Sequence, residues 1–292
     1  MKNKLWKMVP HIVYIPLCLV FIIPFIAIIS VSVSNDVEIV RDGFRLIPSN
    51  LDFTAYEYIF KNPRTILTSY KVTAIMTFVS LIIYLVMASM MAYALSSEEF
   101  KGKKGVTLFL LFTMLFNGGM VPNYLLMTQG LHLKDTYSAL IIPLLGNVWY
   151  VFIMRTFMGQ IPKSLKEAAL LDGASELRIF FNIILPLSKP VLATVGVITM
   201  IANWNSWNQA LLYIDDPDLY PLQYMLEIML RNIQELTKNM KDMPAGIISY
   251  ENVPTESTRM AMAVVATGPM LFVFPFFQKY FVSGLTVGAV KG

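Results

Sequence analysis

Six separate stretches of this sequence, 12–34, 72–95, 106–127, 138–154, 190–209 and 260–278, contain no Asp, Glu, Lys or Arg. A helix rises 1.5 Å per residue, so about 20 apolar residues cross a hydrocarbon core roughly 30 Å thick. The six runs have that length. In lipid every backbone N–H and C=O must be satisfied within the protein, and a helix does this segment by segment. The charged fraction of the chain is 14% and the hydrophobic fraction 56%, against about 25% charged in soluble domains. A soluble globule is excluded. The expectation is an all-α membrane protein with six transmembrane helices, forming one membrane domain over 1–292 with no soluble appendage.

Orientation follows from the flanks. With the amino terminus inside, the inner segments (before 12, 96–105, 155–189 and 279 onward) hold 13 Lys/Arg and 5 Asp/Glu, and the outer segments 10 and 14. The inner segments are also shorter, so their Lys/Arg density is the higher, as the positive-inside rule requires. Both termini and the 155–189 loop are therefore expected in the cytoplasm, as in a multi-pass membrane protein. The net charge of +4 then reflects topology, and nucleic acid is not a required partner. Lys2, Lys4 and Lys7 ahead of an apolar run also suit a signal peptide. That run is longer than the roughly 7–15 residues of a signal h-region, so it reads as a retained first span. One cysteine, Cys18, and two histidines leave no material for a disulfide or a Cys/His metal site.

The longest polar stretches, 35–71 and 206–259, both fall outside. The first contains a turn at 45–50 and a short amphipathic helix at 54–60. The second opens with the turn signal Asp215-Asp216-Pro217-Asp218 and continues with apolar residues at helical spacing over 222–236. Within the third span, Asn117-Gly118-Gly119-Met120-Val121-Pro122 predicts a break or kink. No internal repeat is evident.

The 155–189 loop is polar where its neighbours are not. Pro162-Lys163-Ser164 reads as a helix start, with Ser164 as N-cap and Glu167 at capping-box spacing. Asp172-Gly173 ends that helix at a residue free to take positive φ. A second helix over 175–185 places Ile179, Phe180, Ile183 and Ile184 so that they can lie on the membrane surface. Two readings of this helix-turn-helix stand side by side: it docks on a soluble partner, or it stiffens the bundle at the interface.

The spacing Glu167-Ala168-Ala169, Gly173, Ile183, Leu185-Pro186 resembles the EAA motif of ABC-importer permeases, with every motif position met. Asn203-Trp204-Asn205-Ser206-Trp207, Tyr220-Pro221-Leu222-Gln223 and the tail from Phe276 narrow the resemblance to MalG-like subunits of carbohydrate importers, of the LplC/YtcP type. It covers essentially the whole chain. The resemblance implies the type I importer (MetI-like) permease fold and a coupling helix, Glu167, Ala168, Ala169, Leu170, Leu171, Asp172, Gly173 and Ala174, seated in a cleft of an ATPase subunit. It also implies a tail, Gly288, Ala289, Val290, Lys291 and Gly292, reaching toward the ATPase dimer. The implied partners are a second homologous permease, two ATPase copies, an extracytoplasmic solute-binding protein and membrane lipid. The chain has no G-x-x-x-x-G-K-S/T sequence. It is not expected to be an enzyme or to bind a cofactor directly, ATP and Mg²⁺ being used by the partner ATPase.

Asn203, Trp204, Asn205, Trp207 and Asn208 gather amides and indoles near the outer end of the fifth span. Amides hydrogen-bond hydroxyls and aromatic faces stack on sugar rings, so the set suits a saccharide path. An interfacial aromatic belt accounts for the two tryptophans equally well. Asn117 and Asn147, inside spans, are weaker path candidates. No carboxylate lies in any span, which disfavours the alternative of an ion-coupled secondary transporter. A membrane anchor or sensor subunit is the remaining alternative.

Overall fold

The computed structural model describes residues 2–241 and 256–271, and all regular structure among them is helical. In chain order the helices are α1 (Lys2–Ser32), α2 (Asp36–Asp42), α3 (Thr54–Ile59), α4 (Pro63–Ser96) and α5 (Lys103–Leu115). There follow α6 (Met120–Gly130), α7 (Tyr137–Leu145), α8 (Val148–Met158), α9 (Lys163–Leu171), α10 (Glu176–Leu187) and α11 (Lys189–Trp204). The last are α12 (Asn208–Tyr213), α13 (Leu222–Lys241) and α14 (256–271).

Two helices, α4 and the Tyr14–Ser32 part of α1, are long and apolar enough to cross a membrane unbroken. Three further helix pairs are apolar and long enough only when taken together, and each is bent: α5 with α6 at 111°, α7 with α8 at 48°, and α10 with α11 at 77°. The sixth apolar run, 260–278, begins inside α14 and continues outside the described residues. Helix ends and span ends do not coincide. α4 starts at Pro63, nine residues before its apolar run, because Pro suits the first helical position and Arg64 and Lys71 can extend a helix in water. Hydropathy marks the part that lipid surrounds, not the helix.

The predicted break between α5 and α6 is larger than a kink. Phe116 is extended, the Asn117 side-chain oxygen accepts the Gly119 N–H at 2.9 Å, and Gly119 takes φ +91°. Only glycine holds that backbone without strain. α5 alone, 13 residues long, reaches only about 20 Å.

The described residues divide into two compact units, one built from 2–66, 225–241 and 256–269, the other from 67–224 with 270 and 271. In the first, Asn35 caps α2 through Val37 N–H and donates its amide to Asp52 at 2.7 Å. The Asp36 carboxylate accepts both the N–H and the hydroxyl of Ser257, tying α2 to α14. The expected short helix near 54–60 is α3, with Ala55 and Ile59 buried.

The second unit has two apolar clusters. Tyr84, Ala88, Ala92 and Leu95 form one ridge of α4, spaced by three or four residues as a helix face demands. That ridge packs with Met154 of α8, Ile179 and Phe180 of α10 and Val195 of α11. The second 155–189 helix is thus anchored in the core through Ile179, Phe180 and Ile184, where amphipathic spacing alone suggested a place on the membrane surface. The other cluster joins Val72 and Met76 of α4 to Ala139 and Leu140 of α7 and to Ala210, Tyr213 and Ile214 around α12.

Candidate functional site

The coupling helix expected in the 155–189 loop is α9, nine residues in water contact between two membrane-entering helices. Its N-cap is Pro162, with no side-chain cap, and Ser164 sits one residue inside. This corrects the capping-box reading: proline fixes the entry backbone, and Glu167 is left free of a capping role. Gly173 closes the helix at φ +76°, as its place in the sequence predicts. The Gly173 N–H reaches the Leu170 carbonyl at 3.0 Å, and the Ala174 N–H the Ala169 carbonyl at 2.9 Å. A new N-cap follows at once, Ser175 accepting the Arg178 N–H. The link between the two helices is four residues, 172–175.

The two faces of α9 differ. Ser164, Glu167, Ala168 and Leu171 follow i, i+3, i+4, i+7 spacing and are all exposed, Leu171 at 90%. Ala169 packs against the core cluster instead, with Ala174 beside it. Leu170 is partly exposed and Asp172 forms the C-cap.

Lys166 lies on the inward face with 17% of its side chain exposed. Its ammonium donates to Glu99 at 2.8 Å and to Ser97 Oγ at 3.2 Å, and pairs with Glu176 at 3.1 Å. Tyr93 donates its hydroxyl to the other Glu176 oxygen at 2.5 Å. Partial burial opposes ionisation of Glu176, but the bonds from Tyr93 and Lys166 outweigh it and hold the carboxyl below its usual range. Burial likewise works against the charge on Lys166, yet Glu99 and Glu176 raise its pKa. Beside these groups an apolar recess of about 380 Å³ lies among Met90, Tyr93, Ala94, Phe100, Leu177 and Phe180.

The amide and indole positions separate into two groups. Asn203 is 4% exposed and donates its amide to Ser80 Oγ of α4 at 2.8 Å. Trp204 is 5% exposed, its ring 6.4 Å from that of Tyr70. One turn along α4 from Ser80, Tyr84 donates its hydroxyl to the Asn147 carbonyl at 2.6 Å, while the Asn147 side chain caps α8. α4 thus brings Asn203 and Asn147 to one face. Asn205 and Asn208 are exposed and Trp207 half-buried at the open end of α11, where Gln223 donates to Asn205 at 3.1 Å. Asn117 stands apart at the α5–α6 break, exposed. Gly288 to Gly292 lie outside the described residues. On the loops between later helices, Asp135 accepts the N–H groups of Asp216 at 2.9 Å and Asp215 at 2.5 Å, which hold its carboxyl below the usual range.

Sequence reasoning missed the Lys166, Glu99, Glu176 and Tyr93 group. The only sequence signal was the helical phase of Lys166, three residues before Ala169 and so on the same inward face.

Helices long and apolar enough to enter a membrane, with the short α9 and its exposed face between them, define a multi-pass membrane protein. The model of the binding-protein-dependent transport system inner membrane component matches residues 74–287, and the chain belongs to that family. It is 38% identical to the polygalacturonan/rhamnogalacturonan transport system permease protein YtcP of Bacillus subtilis, covering 100% of both. Protein LplC of the same organism is 38% identical, over 93% of this chain and 90% of LplC. The trehalose/maltose transport system permease protein MalG of Thermococcus litoralis is 30% identical, over 94% of each. The fold matches, with TM-score 0.78 and 28% identity over 96% of this chain and 98% of the other, a crystal structure of a bacterial ABC transporter involved in the import of the acidic polysaccharide alginate. The chain is a permease subunit of an ABC importer with the MetI-like fold, a membrane component whose ATPase is a separate subunit.

Proposed function

We propose that the substrate is a saccharide, an oligosaccharide in particular, moved across the bacterial cytoplasmic membrane by alternating access. Relatives named for polygalacturonan/rhamnogalacturonan, arabinooligosaccharides and trehalose/maltose support that class. The observation that carries the coupling half of the reading is the exposed Glu167, Ala168 and Leu171 face of α9, which Gly173 ends at positive φ. That face seats in a cleft of an ATPase subunit, and the Gly288 to Gly292 tail contacts the same dimer. ATP and Mg²⁺ are bound and used there, and this chain holds no cofactor. A second homologous permease completes the path, a solute-binding protein delivers substrate on the outer side, and both termini are cytoplasmic, in keeping with the Lys/Arg distribution.

Asn117, Asn147, Asn203, Trp204, Asn205, Trp207 and Asn208 flank the path. Within that set Asn205, Trp207 and Asn208 meet the sugar, and Asn203 and Trp204 support the wall from behind. Their uncharged hydrogen-bonding groups match hydroxyls, and no carboxylate lies among them to couple an ion gradient.

The test is reconstitution of this chain with its co-expressed partners in proteoliposomes. ATP inside the acceptor side should drive uptake of labelled oligosaccharide presented with the binding protein. Uptake driven by a proton or sodium gradient without ATP overturns the reading in favour of a secondary transporter.

A further inference from the structure

We propose that Lys166 is a positioning residue for coupling: its ammonium ties α9 to Ser97 and Glu99, in the loop that directly continues α4, and to the first turn of α10, so that α9 and the end of α4 move as one body. The proposal rests on the reading of α9 as the coupling helix, and goes beyond it by naming how movement leaves that helix.

The contacts of α9 explain why a tie is needed. Its outward face is exposed, and Ala169 gives it little apolar grip on the bundle. Between the end of α4 and the start of α10 lies the recess of about 380 Å³, where side chains do not fill the space. Beside the apolar contact of Tyr93 with Phe180, ring centres 5.6 Å apart, a polar group also spans that gap. Tyr93 and Glu176 bridge it at 2.5 Å, and Lys166 joins Glu99 and Ser97 on one side to Glu176 on the other. The Lys166 ammonium also lies 6.0 Å from the centre of the Tyr93 ring.

An isolated surface ion pair contributes little, because solvent screens it and two long side chains must be ordered. Lys163 with Glu98 is of that kind, both side chains at least 70% exposed. Lys166 differs in its low exposure and in having acceptors on two separate elements. Removing its charge leaves Glu99 and Glu176 without their shared cation, so the elements repel where they were joined. The receiving element suits the task. α4 runs 34 residues without a break, about 50 Å at 1.5 Å per residue, whereas the helix pairs on either side of α9 are bent. Farther along, α4 holds Asn203 through Ser80 and the Leu222 N–H through Thr73 at 2.7 Å. Motion delivered at Tyr93 therefore reaches the residues that back the proposed path.

The experiment uses the full complex with its second permease and ATPase, all cysteine-free, with Cys18→Ser in this chain. Spin labels at Met91 of α4 and Leu165 of α9 report their separation before and after trapping with ATP, Mg²⁺ and vanadate. In the otherwise wild-type chain, Lys163→Met and Lys166→Arg, the separation should stay the same in both states. In Lys166→Met it should change on trapping by more than about 2 Å, the scale of helix shifts in switching proteins. A wild-type separation that changes on trapping, or a Lys166→Met separation that does not, overturns the tie. Glu99→Gln, which removes one anchor and keeps the cation, should give a smaller change in the same direction. The underlying reading fails separately. If Leu171→Asp retains the ATPase as well as wild type, α9 is not the docking helix. If Leu171→Asp loses the ATPase while Lys166→Met keeps its separation, only the tie is lost.

Discussion

The middle of α4 and its Ser96 end are held by different chemistry. At the middle, Ser80 receives a hydrogen bond from Asn203 and also donates to the Met76 carbonyl at 2.5 Å, every group neutral and buried. At the end, Lys166 pairs with Glu99 and Glu176, the two carboxylates largely exposed. The solvent explains the contrast. A charge in the hydrocarbon layer costs about 2.5–3.5 kcal/mol or more, so a tie there must be an amide and a hydroxyl. A charge at the water boundary keeps part of its hydration and can act over longer reach. The neutral seam fixes a helix pair in one geometry, and the ionic cluster fastens a helix that must bear load from outside.

The sharpest way to break the comparison is on the outer face of α9. Leu171→Asp places a carboxylate where apolar burial of roughly 1.5–3 kcal/mol is expected on docking. Retention of the ATPase in a pull-down should fall more than about tenfold, with membrane insertion unchanged, since Leu171 touches little of its own chain. Equal retention removes docking from this face.

A smaller effect is expected at the seam. Hydrogen bonds between membrane helices contribute about 0.6 kcal/mol on average and up to about 1.7. Asn203→Ala should lower the melting temperature of the detergent-solubilised complex by a few degrees while leaving the KM for uptake unchanged. Asn208→Ala should do the reverse. A raised KM with normal melting in Asn203→Ala would move that residue from the wall into the path.

The smallest effect is on pH response. Glu176 is held below its ordinary value, so its contribution is complete above the ordinary Glu pKa and is lost only as pH falls through the depressed one. Lys166 is raised, so its contribution is complete below the ordinary Lys pKa and is lost as pH rises beyond it. The Met91–Leu165 separation should therefore stay constant from about pH 6 to pH 9. A change within that window would show that the cluster is not ionised as described.

Much of this was legible beforehand for local reasons. Gly173 at positive φ, the break at Asn117 to Gly119 and the second helix starting at about Ser175 each depend on a few adjacent residues whose backbone options are narrow. The capping of α9 was misread because Pro162 and Ser164 compete for the same terminus, and the proline, with φ already fixed, takes it. Asn203 stood among the path candidates because an amide can hydrogen-bond a sugar hydroxyl. The sequence could not show that its amide also donates to Ser80, 123 residues away.

By itself the sequence determined a helical membrane protein with uncharged crossings, the side on which positive charge accumulates, and a stiff helix-turn-helix between two of the crossings. Hydrophobic run length, charge distribution and local backbone sterics act without reference to the rest of the chain. Only the tertiary structure decided which α9 residues face out, that Ala169 faces in, and that Lys166 meets Glu99 and Glu176. Those outcomes depend on the rotation of one helix against others distant in sequence, and rotation is set by packing.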